Sequence, residues 1–287
     1  MSQTAGLVVV DKPAGITSHD VVSRVRRLAG TRKVGHAGTL DPMATGVLLV
    51  GVNRATRLLG HLMLTTKSYQ ATIRIGVSTH TDDAEGEVVA TAATDGVTEE
   101  AVRAGLATMV GEIDQRPSAV SAIKVGGRRA YDRVRAGERV ELPARRVRID
   151  AIDVTRVDLP EVDIRVRCSS GTYIRAIARD LGEGLGVGGH LTALRRTAVG
   201  PFELDDARTL DELDESFTVL PIAEVARRCF PGIDLDVDRA GAVRVGRPLP
   251  VRTEHDGPVA VFGPDGEFLA LYESAGDHLR PRAVFVG

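Results

Sequence analysis

The sequence contains no tryptophan, and aromatic residues make up only 3% of its 287 residues. With four tyrosines and six phenylalanines in the chain, each aromatic position is informative about the core or about a ligand. There are only two cysteines, Cys168 and Cys229, and they lack the spacing of a metal site. We therefore expect free, buried thiols rather than a disulfide or a redox centre.

Long apolar runs are also absent. No stretch approaches the roughly 20 residues that a helix needs to cross a membrane, and the N-terminus has no basic region followed by an apolar signal core. These absences predict a cytoplasmic protein with no membrane contact. The content of 43% hydrophobic and 26% charged residues is typical of a globular chain, long enough for one large domain or for a large and a small one.

The formal net charge of −2 hides an uneven distribution of charged residues. Residues 116–148 contain ten basic and three acidic side chains, whereas residues 203–236 contain three basic and ten acidic ones. An arginine-rich block suits phosphate contacts, because the guanidinium fork matches phosphate oxygens. A solvated surface is the alternative for any single arginine, but the size of this block favours a nucleic-acid partner.

The hydrophobic periodicity predicts an α+β chain. Residues 67–77 alternate strictly, which places Tyr69, Ala71 and Ile73 on one face of a strand. Further strands are predicted at 7–10, 47–50, 145–157, 162–168, 259–262, 268–271 and 282–286, and helices after Thr17 or Ser18 and at 98–110, 174–181, 209–215 and 222–228. We expect a body over residues 1–229, with a projecting basic insertion at 113–148, and a small β-rich domain over 230–287.

One carboxylate, Asp41, lies in the glycine-rich segment 35–46 directly before a proline and a buried strand. Pro42 favours extended backbone at Asp41, and the strand holds the loop on a rigid element, as is common for catalytic residues. An ordinary Asp-Pro turn explains the spacing equally well. Tyr69 is either a core residue or a stacking platform for a flipped base, and Arg175 is either a surface residue or an ion-pair partner for Asp41.

Six segments occur in the order seen in bacterial TruB-type tRNA pseudouridine-55 synthases, and the chain resembles that family over roughly residues 7–200. The segments are Asp11–Ser18, Gly35–Gly46, Lys67–Tyr69, Ser121–Lys124, Cys168–Arg175 and His190–Arg196. Several motifs in one order are far more specific than any single motif. The resemblance implies a pseudouridine-synthase-like α+β fold, with a mixed, mainly antiparallel central sheet flanked by helices. The tail from Phe230 is similar to that family's small PUA-like RNA-binding domain.

The resemblance implies a reaction as well as a fold. The chain would isomerise the uridine at position 55 in the T-loop of tRNA to pseudouridine, without cofactor or metal. The N-glycosidic bond breaks, the uracil rotates while it is held, and C5 rejoins the ribose. A carboxylate beside the sugar can act as a nucleophile on the ribose or as a base that removes a C2′ proton, and the sequence leaves both routes open.

The resemblance also implies roles for individual residues. Asp41 would be the catalytic carboxylate and Arg175 its ion-pair partner, while Tyr69 would stack on the flipped uracil and assist the final deprotonation at C5. Leu194 would line the pocket, and His36 would wedge into the T-loop at the place that the base leaves.

Further binding residues are implied outside this group. Lys12 would buttress the catalytic loop, and the basic block would correspond to the family's insertion that clamps the T-arm, with Lys124, Arg128 and Arg129 among its contacts. Ser118 and Val120 stand where many relatives have proline and tyrosine, so the local RNA contact there differs from the family pattern.

Other interpretations compete with this enzyme. A purely RNA-binding or RNA-folding module would not need Asp41, Tyr69 and Arg175, although assistance with tRNA folding can coexist with catalysis. A guide-RNA-dependent relative would carry N- and C-terminal extensions that this sequence lacks. A hydrolase would need a second acid or nucleophile in a comparable motif. We therefore expect a monomer that acts on the T-arm of tRNA without an obligatory protein partner.

Overall fold

The computed structural model describes residues 5–63, 65–118, 124–125, 128–129 and 142–286. Within these residues the strands are β1 Gly6–Lys12, β2 Val34–Ala37, β3 Thr45–Val52, β4 Lys67–Ile75, β5 Val77–Thr79, β6 Val88–Thr91, β7 Gly111–Gln115, β8 Lys124–Val125, β9 Arg128–Arg129, β10 Arg145–Asp158, β11 Glu161–Cys168, β12 Gly189–Val199, β13 Phe202–Glu203, β14 Leu220–Pro221, β15 Gly232–Asp234, β16 Val259–Phe262, β17 Phe268–Ser274 and β18 Leu279–Val284. The helices are α1 Ser18–Leu28, α2 Leu59–Leu62, α3 Glu99–Ala107, α4 Ile174–Gly184, α5 Leu210–Glu215, α6 Ile222–Cys229 and α7 Val237–Arg244, and 3₁₀ turns lie at Asn53–Arg57 and Leu204–Asp206.

A large central sheet forms the body of the molecule. Its strands follow the order β14-β1-β3-β12-β4-β11-β10-β7, with β2 paired to β3 and β13 paired to β12. The pairing between β12 and β3 is parallel, and the other pairings in this sheet are antiparallel. The predicted α+β fold with a mainly antiparallel central sheet is confirmed.

The local sequence explains the elements that surround the site. Along β4, buried residues alternate with more exposed ones from Lys67 to Ile75, as the strict alternation predicts. Helix α1 begins after Thr17, whose side chain accepts a hydrogen bond from the Asp20 amide while the Asp20 carboxylate accepts one from the Thr17 amide. This capping box fixes the start of the helix directly before the segment that leads to Asp41.

The two faces of the central sheet pack against different partners. Helices α1, α3 and α4 cover one face through side chains such as Val21, Leu106 and Ile177. The opposite face of β1 and β3 packs against the four-stranded sheet β15-β16-β17-β18, for example through Phe262 and Phe268. The second sheet begins at Gly232, so the predicted small C-terminal β domain is present, while its boundary at residue 230 stays a prediction.

The C-terminal part differs from the sequence prediction in two elements, the short strand β15, Gly232–Asp234, and helix α7. The sequence pattern does not indicate helix α7, Val237–Arg244, because this helix buries only Ala240 and Val243 and so has almost no apolar stripe. Among the described residues, no helix is long and apolar enough to cross a membrane.

Candidate active site

Asp41 lies in the loop between β2 and β3, and the start of α1 fixes that loop. The Ser18 hydroxyl accepts a hydrogen bond from the Leu40 amide at 2.9 Å and donates one to the Leu40 carbonyl at 3.1 Å. The Ala44 amide then donates to the Asp41 carbonyl at 3.1 Å, which closes a tight turn around Pro42. The backbone on both sides of the carboxylate is therefore held before any substrate binds.

Lys12 supports the same loop from inside the protein. Its side chain is buried, and Nζ donates to the carbonyls of Pro13 and Ile16, each at 2.8 Å, and of Pro42 at 3.2 Å. Burial lowers the pKa of Lys12 to about 8, although the nearby Asp41 carboxylate opposes this shift. Lys12 thus contacts the backbone of the loop that carries Asp41.

Arg196 holds the two ends of the loop, a role that sequence reasoning missed. Nε donates to the Val47 carbonyl at 2.7 Å and Nη2 to the Gly38 carbonyl at 3.0 Å, and the side chain is buried. The backbone of Arg196 also passes so close to Gly46 that a Cβ there would lie 2.2 Å from the Arg196 carbonyl oxygen, and Gly46 has a φ of +99°. Only glycine fits this close approach.

Arg175 forms the central ion pair of the site. Its Nε lies 3.1 Å from Oδ2 of Asp41, and Nη2 donates to Oδ1 at 3.3 Å. Nη1 lies 3.1 Å from Oδ2 of Asp83 and also donates to the Thr81 carbonyl at 2.9 Å. The side chains of Arg175 and Asp83 are 5% and 3% exposed, whereas that of Asp41 is 35% exposed. Asp41 is therefore the end of this network that a ligand can reach.

Opposing effects set the pKa of Asp41. Burial raises it above its ordinary value, and the neighbouring Asp83 carboxylate acts in the same direction. The cations of Arg175, Lys12 and Arg196 lower it. Burial is the largest of these effects, so the net shift is upward, and the three cations limit it.

Tyr69 and Leu194 lie on the same face of the sheet as this network. Tyr69 is opposite Arg196 in the β4–β12 ladder, and Leu194 is opposite the next inward residue, Ala71. Both side chains are 8% exposed. Burial raises the pKa of Tyr69, so the phenol is neutral at physiological pH, and the nearby Arg196 cation opposes this shift. A flat ring and an apolar side chain thus lie side by side on β4 and β12, as a stacking site for a base requires.

A cavity of about 510 Å³ lies beside this site. Its lining includes Met43 of the Asp41 loop and Ala71, together with Gln70, Thr72 and Arg165. Gln70 and Thr72 alternate with Tyr69 and Ala71 along β4 and therefore point to the other face of the sheet. Leu194 also lines the cavity, but the Asp41, Tyr69 and Arg175 side chains do not.

His36 lies on β2, a few residues before Asp41. The side chain is half-buried, and its Nδ1 is buried without a hydrogen-bond partner among the described residues. The His19 ring meets the His36 ring edge-on at a centroid distance of 5.5 Å. Burial, with smaller contributions from His19 and Arg196, lowers the pKa of His36, so the ring is neutral at physiological pH.

The start of the basic insertion is tied to the helix that carries Arg175. The Gln115 side chain is buried at the end of β7, where its amide donates to the Tyr173 carbonyl at 3.0 Å and accepts from the Tyr173 amide at 2.8 Å. One turn beyond Arg175, Arg179 donates to the Arg116 carbonyl at 2.8 Å and to Asp82 at 3.1 Å. These hydrogen bonds fix the end of β7 against the start of helix α4.

Most of the insertion lies outside the described residues. This holds for the side chains of Lys124, Arg128 and Arg129 and for the whole of Val120, while the backbones of 124–125 and 128–129 pair as β8 and β9. The Ser118 side chain is buried, and its hydroxyl has no hydrogen-bond partner in the part of the chain that the structure describes. The same part of the chain holds no group of three or more His, Cys, Asp or Glu residues that could bind a metal ion.

A carboxylate held by a buried arginine thus lies beside a tyrosine and a leucine on a mainly antiparallel sheet, the arrangement that the resemblance to pseudouridine synthases implies. The sequence model described as TruB family pseudouridylate synthase, N-terminal domain, matches residues 26–174. Two C-terminal models follow, tRNA pseudouridylate synthase B C-terminal domain over residues 175–223 and tRNA pseudouridine synthase II, C-terminal, over residues 230–286. The chain belongs to the TruB family.

Individual relatives agree with this assignment. The tRNA pseudouridine synthase B of Thermobifida fusca (strain YX) is 58% identical over 290 residues, covering 98% of this chain and 99% of that protein. The enzyme of the same name from Arthrobacter sp. (strain FB24) is 57% identical over 295 residues, covering 98% and 96%. The family and enzyme class that the sequence predicts, an isomerase that converts uridine to pseudouridine in tRNA, are confirmed.

Solved structures with the same fold include ribonucleoproteins. An H/ACA RNP bound to a substrate RNA containing 2'-deoxyuridine matches with a TM-score of 0.74 and 25% identity, covering 98% of this chain and 85% of that one. An archaeal box H/ACA sRNP Nop10-Cbf5 complex matches with a TM-score of 0.73 and 25% identity, covering 99% and 87%. The fold is therefore shared with proteins that act inside larger RNA-protein assemblies.

Proposed function

We propose that this chain converts the uridine at position 55 in the T-loop of tRNA to pseudouridine, with Asp41 as the catalytic carboxylate. The observation that carries the proposal is the bidentate contact between Arg175 and Asp41, which fixes one part-exposed carboxylate at the surface of the site. An arginine in this position keeps the carboxylate in the ionised form in which it can attack the ribose or remove a C2′ proton.

The other residues take positioning roles in this proposal. The flipped uracil stacks on Tyr69 and contacts Leu194, while His36 enters the T-loop and occupies the place of the departed base. Lys12 and Arg196 hold the backbone of the Asp41 loop through the carbonyls of Pro42, Gly38 and Val47. Because these contacts exist before RNA binds, the carboxylate need not reorganise when the glycosidic bond breaks.

The proposal also covers the domain bounds, the oligomeric state, the location and the partners of the protein. Residues 1–229 form the catalytic domain, with 113–148 as the insertion that clamps the T-arm through Lys124, Arg128 and Arg129, and 230–287 form a PUA-like RNA-binding domain. The enzyme acts as a monomer on tRNA in the cytoplasm, without a guide RNA, a protein partner or a cofactor. It also assists tRNA folding, which needs binding but no chemistry.

The decisive experiment measures tritium release from C5-labelled uridine in unmodified T-arm RNA with the purified protein alone. Release at the equivalent of position 55 is expected, together with its loss in Asp41→Asn and unchanged RNA binding by that variant. If the purified protein releases no tritium, the proposed function is wrong. If release requires an added guide RNA or partner protein, the enzyme belongs with the ribonucleoprotein relatives.

A further inference from the structure

Six exposed cations form a surface that the proposed chemistry does not use. They lie at the end of α1, in the turn that follows it and in the 3₁₀ turn after β3, and we call them the basic band: Arg26, Arg27, Arg32, Lys33, Arg54 and Arg57. In the part of the chain that the structure describes, none of them forms a salt bridge. Residues 21–60 contain seven basic residues and a single acid, Asp41.

Several surface arginines elsewhere in the structure are neutralised by carboxylates, although the exposed Arg74 and Arg165 also form no salt bridge among the described residues. Arg103 pairs with Glu99, Arg228 pairs with Asp206 and Glu224, and Arg280 pairs with Glu273. The contacts of the basic band are different, because they involve neutral groups. Arg26 donates to a carbonyl at 3.1 Å, Arg54 donates to another at 2.9 Å, and Arg57 lies 5.0 Å from the centre of a phenyl ring. The positive charge of the band is therefore available to an external anion.

The two halves of the band lie on one continuous surface. The Asn53 amide donates to the Lys33 carbonyl at 2.7 Å, and the Thr31 hydroxyl donates to the Asn53 side-chain oxygen at 3.0 Å. These bonds place the turn after α1 directly beside the 3₁₀ turn that carries Arg54 and Arg57. The band is thus a single feature rather than two unrelated clusters.

The two ends of the basic band lie next to two parts of the protein that bind RNA in the proposed function. Lys33 directly precedes β2, so His36 follows about 10 Å further along the strand. At the other end, Arg54 donates to the Phe285 carbonyl and Arg57 lies over the Phe285 ring, in the C-terminal domain. The band therefore connects the side of the active site that carries His36 with the C-terminal domain.

We propose that the basic band binds the phosphate backbone of the tRNA helix beyond the T-arm, in the part of the RNA that continues towards the C-terminal domain. This inference rests on the proposed function, because a uridine held at Asp41 fixes where the rest of the RNA begins. Guanidinium groups without carboxylate partners suit phosphate oxygens, and binding them costs no existing ion pair. The band is distinct from the basic insertion, which holds the T-arm itself.

The test compares two RNAs and two matched triple variants. Arg27→Gln, Arg32→Gln and Lys33→Gln together remove three charges of the band, while Arg74→Gln, Arg103→Gln and Arg165→Gln remove three exposed arginine charges elsewhere. All proteins carry Asp41→Asn, so that RNA binds without turnover. Affinities for full-length tRNA and for a T-arm hairpin are measured between about 50 and 300 mM salt, the range over which phosphate contacts weaken. The single variant Lys33→Gln provides a milder form should the triple variant fold poorly.

For each phosphate interaction that the substitutions remove, the band variant should bind full-length tRNA about five- to eightfold more weakly at roughly 0.1 M salt. The slope of the logarithm of the binding constant against the logarithm of the salt concentration should become less steep by about 0.7 to 0.9 for each lost interaction. Binding of the hairpin should change less than about twofold, and the same triple variant with Asp41 intact should convert the hairpin at the parental rate. Unchanged tRNA binding, an equal decrease with the hairpin, or an equal decrease in the control triple variant would each overturn the proposal. If the protein with Asp41 and the basic band both intact converts neither RNA, the proposed function itself is wrong.

Discussion

Arg175 meets the Asp41 carboxylate side-on, with Nε 3.1 Å from Oδ2 and Nη2 3.3 Å from Oδ1. The guanidinium cannot rotate freely in this position, because its third nitrogen is held by the buried Asp83 carboxylate and by the Thr81 carbonyl. The planar guanidinium thus fixes the orientation of Asp41 and places a positive charge beside it.

Asp83→Asn tests whether this second carboxylate orients Arg175. We expect the single-turnover rate of tritium release to fall about 10- to 100-fold with bound RNA, because small displacements of reacting groups are costly. Since Asp83 raises the pKa of Asp41, its removal should also move the acidic limb of the pH–rate profile to lower pH. Asp82→Asn, which affects the neighbouring pair with Arg179, is the control and should slow the reaction less, because Arg179 forms no hydrogen bond or salt bridge with Asp41 among the described residues. Equal decreases in both variants would contradict an orienting role for Asp83.

Asp41→Asn should make the protein more stable at neutral pH while abolishing product formation. The folded-state pKa of Asp41 is raised, so the folded protein binds a proton more tightly than the unfolded chain does. Stability therefore falls as the pH rises through this window, and the full cost of the carboxylate is present above the folded-state pKa. Removing the carboxylate removes that cost, as is common at strained active sites.

Thermal unfolding at pH 7.5 and at pH 4 measures this effect. The melting temperature of Asp41→Asn should exceed that of the parent at pH 7.5, and the difference should shrink at pH 4. A lower melting temperature for the variant at pH 7.5 would show that the pair with Arg175 contributes more than burial of the carboxylate costs.

Lys12→Met should weaken catalysis through the Asp41 loop. The substitution removes the donor to three carbonyls, including that of Pro42, and we expect a decrease of about 1–3 kcal/mol in unfolding free energy with roughly tenfold slower turnover. Lys67→Met is a matched control, because burial also lowers the pKa of Lys67 to about 8 and its Nζ donates to the carbonyls of Met63 and Thr65. This control should lose stability but keep its turnover with bound RNA.

The pH dependence of the Lys12 effect has a defined sign. The folded-state pKa of Lys12 is lowered to about 8, so the unfolded chain binds more protons between pH 8 and its ordinary value of 10.5. Stability that depends on Lys12 therefore rises with pH across this range. The difference in unfolding free energy between the parent and Lys12→Met should grow in favour of the parent from pH 8 to pH 10, and a constant difference would contradict the shifted pKa.

Gln115→Leu, at the start of the basic insertion, should slow catalysis through the backbone that carries Arg175. The substitution leaves the amide and carbonyl of Tyr173 without the Gln115 side chain, two residues before Arg175. We expect turnover with bound RNA to fall about tenfold, since small shifts of positioning groups have effects of this size. The acidic limb of the pH–rate profile should move to higher pH, because Arg175 lowers the pKa of Asp41. Asp114→Asn, on the exposed side of the same strand, should change neither quantity.

The sequence predicts those features of the site that a periodic pattern or a motif marks. Strict alternation predicts the inward position of Tyr69, and the glycine-rich loop before a buried strand marks Asp41, but the roles of both residues are implied by the family resemblance and stay predictions. The roles of Asp83, Arg196 and Gln115 do not follow from either signal. Asp83 is one acid of several in a polar turn, and only the folded chain brings it 3.1 Å from an arginine ninety-two positions away.

Contacts between residues that are far apart in the sequence also explain the other features that the sequence did not predict. Arg196 belongs to a recognised motif, yet nothing local shows that its side chain turns inward to two carbonyls of another segment. Helix α7 has no apolar stripe to mark it, because its partners in the β17–β18 region supply the burial. Long-range contacts decide these features, and a single sequence carries no direct signal for them.

The apolar contact between the two sheets has a consequence for how the protein unfolds. Leu7 lies on β1 and Val47 on β3, the strand that follows the Asp41 loop, and their side chains belong to the same cluster as Phe262 and Phe268 of the C-terminal sheet. Loss of the C-terminal sheet would leave the back of β1 and β3 open to water. The two parts should therefore melt in one cooperative transition, and a chain that ends after α6 should aggregate instead of surviving as a smaller enzyme.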